Sequence, residues 1–275
     1  MIRGVVVAFW WTVFLLGVAS TSVRSAELTL LTIYWPPFIE RNNDGQFTGA
    51  APAIVARILQ VAGIDLKPVM VPWPRLFKTI QSQANVLVFP MVRQSEREPL
   101  FNWLSPLFIS DPGVLVYNLA NPPPQPKTVD ELRKFKLCVT FNNSFHAKLV
   151  TRGFVQDKNL FEFETLFPDR TPGAQWYIFQ SQCDFKVTNW PASLALMRTR
   201  GFSDPEKYIG YYPVPENMFG DEMNAYFVAS KDFDPELLKV IRSTAEKLRQ
   251  SGELHAICLG QTQHDEKTCS MLKPD

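Results

Sequence analysis

Two arginines, Arg93 and Arg97, lie in a polar turn directly after the apolar, β-prone run Val86–Phe89. Pro90 is expected to end that strand, so that the turn leads into a short helix. Unpaired N–H groups at a helix start attract anions, and the planar guanidinium matches a carboxylate with two hydrogen bonds. The alternative is a solvated turn in which both arginines pair with glutamates of the same stretch. The segment therefore indicates either a carboxylate site or a surface ion-pair cluster.

Aromatic residues follow the two strands predicted before this one. Tyr34 and Trp35 come after the first strand, and Trp73 comes after the second. Helical patterns separate the three strands, and this β-α-β-α-β order predicts a parallel sheet with helices on its faces. Ligands of such sheets lie outside the carboxyl ends of the strands. We therefore expect these aromatic residues to converge with Arg93 and Arg97 on one sheet edge.

A second, smaller α/β unit is predicted in the following part of the chain. The run Asn121–Pro126 contains four prolines and is interpreted as a stiff connector at a domain boundary. Beyond it, Asn143 and Ser144 suit the start of a helix, where they would present polar groups. Asn189 ends another predicted strand. The second unit thus supplies its own polar residues at strand and helix ends.

The last part of the chain is expected to contain one long helix and a tail. Residues Pro235–Gln250 carry apolar side chains on one face and charged ones on the other, which predicts an amphipathic helix. The segment 261–275 is polar, and we expect it to be extended.

The first 26 residues are typical of a secretory signal peptide. Arg3 precedes an apolar run, Val5–Val18, and small residues follow it up to Ala26. An uncleaved anchor is the alternative, although the run is shorter than the roughly 20 apolar residues of a spanning helix. No cysteine precedes Cys138, so no lipid attachment is expected. These features predict a non-lipidated protein exported to a bacterial periplasm.

Composition narrows the partners and the cofactors. The formal net charge of the 275 residues is +1 and no basic block occurs, so we expect no nucleic acid partner. Four cysteines in an exported chain favour disulfides. We expect Cys258 to pair with Cys269, whereas Cys138 and Cys183 are either bridged or buried thiols. The cysteines lack C-x-x-C spacing and the three histidines are scattered, so neither a metal nor another cofactor is expected.

Five segments in a characteristic order resemble one known family. They are TIYWPPF, DGQFTGAAPAIVARIL, QSEREPLFNWLSPL, CDFKVTN and SGELHAI. The chain resembles the bacterial extracellular solute-binding proteins of family 3, the amino-acid type of periplasmic binding protein, over roughly residues 28–259. No single segment is decisive, but their order and spacing together are fairly specific.

The resemblance implies an α/β fold with two lobes. Two mostly parallel sheets flanked by helices would be joined by two crossover strands, with the ligand in the cleft. Lobe 1 would contain residues 27–117 and 225–260, and lobe 2 residues 118–224. The family's function implies a monomer that captures a small polar solute, an amino acid or another carboxylate, for an ABC-type transporter.

The resemblance also suggests roles for individual residues. Arg97 matches the arginine that holds the ligand's α-carboxylate, and Trp35 and Trp73 match aromatic wall positions. Asn189 stands where the family usually has an aspartate for the ligand's ammonium group, and Arg93 is additional. Together with the strand-end and helix-start residues above, the candidate ligand-binding residues are Tyr34, Trp35, Trp73, Arg93, Arg97, Asn143, Ser144 and Asn189.

Two alternative functions remain open at this point. One is a sensory protein that reports its ligand to a membrane receptor. The other is an enzyme similar to the cyclohexadienyl dehydratases, which share this fold and use an acid in the cleft. Only Glu96 and Glu164 are near the matched positions, and no Ser/His/Asp or Cys/His set is apparent. We therefore expect binding rather than catalysis.

Overall fold

The computed structural model describes residues 28–42, 44–163, 178–220, 223–261 and 265–275. The predicted signal segment and Glu164 lie outside these ranges. Within them, none of the helices combines the length and the hydropathy that a bilayer span requires.

Strands and helices alternate along most of the described chain. The strands are β1 (Thr29–Thr32), β2 (Glu40–Arg41), β3 (Phe47–Thr48), β4 (Val69–Met70), β5 (Val86–Val92), β6 (Asn102–Ser110), β7 (Val114–Asn118), β8 (Leu137–Thr140), β9 (Leu160–Phe163), β10 (Phe185–Thr188), β11 (Ile209–Pro213) and β12 (Met223–Ala229). The α-helices are α1 (Ala50–Val61), α2 (Trp73–Ser82), α3 (Val129–Leu132), α4 (Ser144–Thr151), α5 (Trp190–Arg198), α6 (Pro235–Gln250), α7 (Glu253–Leu259) and α8 (Glu266–Cys269). Short 3-10 helices occur at Ser95–Leu100, Pro205–Lys207, Pro215–Asn217 and Ser270–Leu272.

The first sheet has the strand order β4-β1-β5-β12-β6. Strand β5 is buried along its whole length and lies between β1, to which it is parallel, and β12, to which it is antiparallel. The expectation that the strand ends at Pro90 is wrong, because β5 continues to Val92. The register between β12 and β5 shifts next to Pro90, so that this residue lies at a bulge. A bulge leaves one residue without a ladder partner, and a proline, which has no N–H to donate, fits there.

The second sheet has the strand order β11-β7-β10-β8-β9. In each five-stranded sheet two pairings are parallel and two are antiparallel, so both sheets are mixed rather than mostly parallel. The antiparallel pairings involve the strands next to the two chain crossings. We refer to the first sheet with its helices as the first lobe, and to the second sheet with its helices as the second lobe.

The first of the two chain crossings between the sheets differs from the predicted lobe boundary. Strand β7 starts at Val114 and pairs only within the second sheet, so the first crossing lies at 111–113 and not after Tyr117. The second crossing follows β11 and ends where β12 joins the first sheet at Met223. The proline run Asn121–Pro126 comes after β7 and is therefore not the crossing. The carbonyl of Pro123 accepts a hydrogen bond from the Tyr212 hydroxyl at 3.2 Å, within the second lobe.

The C-terminal part packs onto the first lobe. Helix α6 has the predicted bounds, and the Asp234 carboxylate caps it by accepting hydrogen bonds from the N–H groups of Glu236 and Leu237. The predicted disulfide between Cys258 and Cys269 is confirmed. The expectation of an extended tail is wrong, because this disulfide and the buried Leu272 hold a helical segment against the sheet.

A second disulfide joins Cys138 to Cys183. It links β8 to the residues just before β10, two strands that also pair in parallel. Of the two alternatives left open by the sequence, the structure has the bridge and not the buried thiols.

Gly113 occupies a crowded position in the first crossing. A Cβ atom there would lie 2.5 Å from Cε1 of Phe145 and 2.7 Å from Cδ2 of Phe219. Phe145 belongs to the second lobe and Phe219 to the second crossing, and both are buried. The two crossings therefore approach each other at a point where a glycine is needed for space.

We expect Gly113→Ala to lower the free energy of unfolding by about 1–3 kcal/mol, because two buried rings must move. Chemical denaturation measures this change. Gly260→Ala is the control, since Gly260 has a φ of −70° and its nearest contact to an added Cβ is 3.3 Å. Equal stabilities of the two variants would show that the crossing tolerates the added methyl group.

Candidate functional site

A cavity of about 150 Å³ is lined by residues of both lobes. The first lobe contributes the residues after β1, the end of β4 with the residues after it, two residues of β5, one of the following 3-10 helix and the first residue of β12. The second lobe contributes the end of β8, the start of α4, the end of β10 and part of α5. The cavity thus lies at the carboxyl ends of strands, as the sequence predicted for the ligand site.

Arg97 is the charged residue of the first-lobe wall. Its side chain is 6% exposed, and its guanidinium carbon lies 5.2 Å from the ring centroids of both Trp73 and Phe77. Its Nη1 donates to the carbonyl of Val92 at 3.4 Å and contacts the sulfur of Met91 at 3.8 Å. Burial lowers the pKa of Arg97 to about 10, and the negative charge of nearby Glu96 partly opposes this. The guanidinium is therefore still charged at neutral pH.

Trp73 connects the two lobes across the cavity. It is the first residue of α2, and its Nε1 donates a hydrogen bond of 2.7 Å to the backbone carbonyl of Asn142 in the second lobe. Asn142 has a φ of 57°, a left-handed conformation that asparagine tolerates better than most residues. The same indole that stacks on Arg97 therefore holds the opposite wall.

Tyr34 and Trp35 form the part of the wall after β1. Trp35 packs edge-to-face on Phe38 and Phe108, and it lies against the hydrophobic cores of both lobes. Burial, and to a lesser degree Glu40, raises the pKa of Tyr34 to about 12. The phenol is therefore a neutral hydrogen-bonding group at physiological pH.

Asn143 and Ser144 lie at the start of α4, as predicted. The Asn143 side-chain oxygen accepts a hydrogen bond from the N–H of His146 at 2.8 Å and so caps the helix. The Ser144 hydroxyl lies 3.7 Å from the sulfur of Met223. The cap occupies the side-chain oxygen of Asn143. The side-chain amide nitrogen of Asn143 is the group that can donate to a ligand.

Asn189 directly follows β10, precedes α5 and is 5% exposed. Its Nδ2 donates to the carbonyl of Asp111 at 2.6 Å and to the hydroxyl of Ser110 at 3.3 Å. Asp111 belongs to the first crossing. Asn189 therefore lines the cavity and also bonds the second lobe to the segment that crosses between the lobes.

Lys186 is a lining residue that the sequence analysis missed. It lies on β10, two residues before Thr188, and is 6% exposed. Burial lowers its pKa from the ordinary 10.5 to about 7, and its Nζ lies 5.9 Å from the ring centroid of Phe163. The signal in the sequence was a lysine inside an otherwise apolar strand whose end is at the ligand edge.

Arg93 lies outside the cavity, unlike the other seven residues predicted for the site. Its Nε donates to Oε2 of Glu98 at 2.9 Å, and its Nη2 pairs with the other carboxylate oxygen. The guanidinium also lies over the rings of Trp103 and Tyr226. For Arg93, the structure thus has the surface ion pair that the sequence left open as the alternative.

Residues 29–259 match the sequence model of the bacterial extracellular solute-binding proteins, family 3. The chain belongs to this family. No curated protein matches the sequence significantly. The family assignment agrees with the resemblance seen in the five sequence segments.

Solved structures with the same fold have low sequence identity to this family 3 protein. A histidine kinase sensor domain similar to periplasmic binding proteins is 18% identical, with a TM-score of 0.67 over 86% of this chain and 96% of the other. The arginine-, lysine-, histidine-binding protein ArtJ from Geobacillus stearothermophilus is 16% identical, with a TM-score of 0.68 over 87% and 96%. The GluR0 ligand-binding core from Nostoc punctiforme, in complex with L-glutamate, is 16% identical, with a TM-score of 0.63 over 86% and 100%. These similarities establish the periplasmic-binding-protein-like fold.

Trp73→Phe tests whether the indole holds the lobes of this family 3 protein together. The change keeps an aromatic ring beside Arg97 but removes the hydrogen bond to the Asn142 carbonyl. A hydrogen bond of this kind contributes about 0.5–1.5 kcal/mol to the contact between the lobes. We expect a larger radius of gyration of the ligand-free protein in small-angle X-ray scattering.

Trp103→Phe is the matched control, because the Trp103 indole donates to Glu98 within the first lobe at 3.2 Å. Identical scattering curves for both variants would show that the Trp73 bond does not determine how far the lobes open.

Lys186 makes the stability of the protein depend on pH. Between pH 7 and 10.5 the unfolded chain binds a proton at this lysine that the folded chain has lost, so stability rises with pH in this window. We expect the unfolding free energy of the native chain to rise relative to that of Lys186→Met by up to about 1.4 kcal/mol per pH unit from pH 7 to 9. Denaturation at several pH values measures it, with the exposed Lys136→Met as the control. A constant difference would mean that the lysine keeps its ordinary pKa.

Proposed function

We propose that this protein captures a small polar solute bearing a carboxylate in the cleft between its lobes and delivers it to an ABC-type transporter. The observation that carries the proposal is the buried guanidinium of Arg97 in the wall of the cavity. Family membership supports a solute-binding role, and the solute and the transporter are the proposed parts.

Arg97 has the surroundings of an anion-binding residue. Among the described residues no carboxylate forms an ion pair with it, and its contacts are a sulfur, one carbonyl and two aromatic rings. Burying an ion without a counter-ion is costly, and a ligand carboxylate would offset this cost with two charge-assisted hydrogen bonds. The aromatic rings hold the guanidinium in place before the ligand arrives, which reduces the ordering cost of binding.

The lining residues support binding more than catalysis. Those that the structure describes include no aspartate or glutamate, the residue types that a dehydratase would use as its acid. They supply side-chain amides, hydroxyls, aromatic rings and cations, which can position a solute.

Closure around the solute gives the mechanism. Residues from both lobes line the cavity, so a solute that contacts both walls binds the closed form better than the open form and shifts the population towards it. A transporter in the membrane would recognise that closed form. The predicted export to the periplasm places the protein where such a transporter collects its solutes.

A sensory role would use the same closure. Because a histidine kinase sensor domain shares the fold, a membrane receptor is the alternative partner. Deleting the gene separates the two roles, since loss of solute uptake indicates a transporter and loss of a transcriptional response indicates a receptor.

The first experiment is a thermal-shift panel of amino acids, di- and tricarboxylates, polyamines and aromatic acids, followed by calorimetry on each solute that stabilises the protein. We expect Arg97→Met to weaken the binding of such a solute by about 2–4 kcal/mol while the fold remains intact.

Arg93→Met is the matched control, because Arg93 lies four positions earlier and outside the cavity. Undiminished binding by Arg97→Met would contradict the proposal, as would an equal loss in both variants.

A further inference from the structure

We propose that Phe77 is a positioning residue of the ligand site, whose ring, together with that of Trp73, holds the guanidinium of Arg97 ready to receive a carboxylate. This inference rests on the proposed function, because it assigns a further role in the same site. The described residues that line the cavity do not include Phe77. Its effect on the solute would therefore act through Arg97.

The guanidinium of Arg97 lies over two neighbouring rings. Trp73 and Phe77 are four residues apart on α2 and so share one face of the helix. Their ring centroids are 5.5 Å apart, with the planes inclined by 35°, and each centroid lies 5.2 Å from the guanidinium carbon. The three points form a nearly equilateral triangle, so neither ring is closer to the cation than the other.

Arg93 provides an internal comparison. Its guanidinium carbon lies 5.1 Å from the ring centroid of Trp103 and 5.0 Å from that of Tyr226, which is nearly the same two-ring arrangement. Both Nε and Nη2 of Arg93 donate to the carboxylate of Glu98. Arg97 has the rings without an acid bonded to it among the described residues. The two arginines thus differ in the counter-ion and not in the aromatic support.

The rings leave the hydrogen-bonding edge of Arg97 available. Nη1 contacts the carbonyl of Val92 and the sulfur of Met91, whereas Nε and Nη2 have no acceptor in the part of the chain that the structure describes. These two nitrogens form the fork that matches both oxygens of a carboxylate. Glu96 attracts the guanidinium through its charge, but it is exposed to solvent and not bonded to it. Aromatic contacts therefore hold the cation without using the edge that a ligand needs.

A guanidinium that is already oriented does not have to be ordered when the solute binds. Immobilising a long side chain costs conformational entropy, and support in the ligand-free protein removes that cost from the binding step. The Phe77 ring is itself held, because it is half-buried and packs edge-to-face on Phe101 with the centroids 5.9 Å apart. Loss of the ring should weaken binding without removing a direct contact to the solute.

Calorimetry on three variants measures this effect, with benzoate, succinate and L-glutamate as probes. We expect Phe77→Leu, which replaces the ring with an apolar chain, to lower the affinity for a bound probe by about twofold to tenfold, the equivalent of ordering one long side chain. Phe77→Tyr keeps the ring and should bind like the native chain. Trp103→Leu is the matched control, because it removes a ring from Arg93 instead. The unfolding midpoint establishes that each variant is folded.

A measurement without ligand separates the contact to the cation from packing. Placing 3,4,5-trifluorophenylalanine at position 77 keeps the shape of the ring but withdraws the negative charge from its face. The ring stabilises the charged form of Arg97, so we expect the pKa of Arg97 to fall by about 0.5–1 pH unit. The carbon-13 signal of the guanidinium carbon follows the titration, and its absence from Arg97→Met assigns it.

Three results would overturn the inference and leave the proposed function intact. They are equal probe affinities of Phe77→Leu and the native chain, an equal loss of affinity in Trp103→Leu, and an unchanged pKa of Arg97 in the fluorinated protein. The last would show that the ring at position 77 acts by packing alone. Failure of the native chain to bind the three probes and every other solute of the thermal-shift panel would overturn the proposed function, and the inference with it.

Discussion

Arg97 keeps a positive charge in a space that is nearly closed to water, and the arrangement of the cleft depends on how that charge is held. Two aromatic rings, a carbonyl and a thioether surround it, which gives partial stabilisation by cation–π contacts but no neutralisation. The same Trp73 that supports the guanidinium donates its N–H across the cavity. The anion site and the contact between the lobes are thus parts of one structure.

The fold places the remaining groups around this charge. Strand β5 is buried on both faces and ends at Val92, whose carbonyl and side chain belong to the site. The bulge at Pro90 bends the strand just before it delivers the arginine turn. In the second lobe, Lys186 lies on β10 and Asn189 directly follows that strand, and both residues line the opposite wall. Asn189 also donates a hydrogen bond to Asp111 in the first crossing. A shift of one lobe therefore moves polar groups that face the ligand.

Patterns of apolar residues and strand-end polar residues were sufficient to predict most of the fold and seven of the residues that line the cavity. Helix α6 has its predicted bounds because periodicity and the Asp234 cap act locally. The proline run and the tail were misjudged for a common reason. Composition indicates an extended or polar segment, but it does not show whether that segment crosses between sheets or packs on one. The position of Pro90 was also misread, since a bulge depends on the partner strand.

The positions of Arg93 and Lys186 depend on contacts that the sequence pattern does not show. Arg93 and Arg97 have the same chemistry and lie four residues apart, but Arg93 pairs with Glu98 and lies over the rings of Trp103 and Tyr226, outside the cavity. Lys186 was missed because a lone lysine in a short strand is normally a solvent-facing residue. Its burial follows from the central position of β10 between β7 and β8, two strands that are distant from it in sequence.

Mass spectrometry of the solutes released on denaturing the protein purified from its native periplasm tests the central claim most directly. The account predicts a small polar solute with a carboxylate, retained by the native chain and absent from Arg97→Met prepared in the same way. A released solute without an acid group, or a solute that Arg97→Met retains equally well, would contradict it.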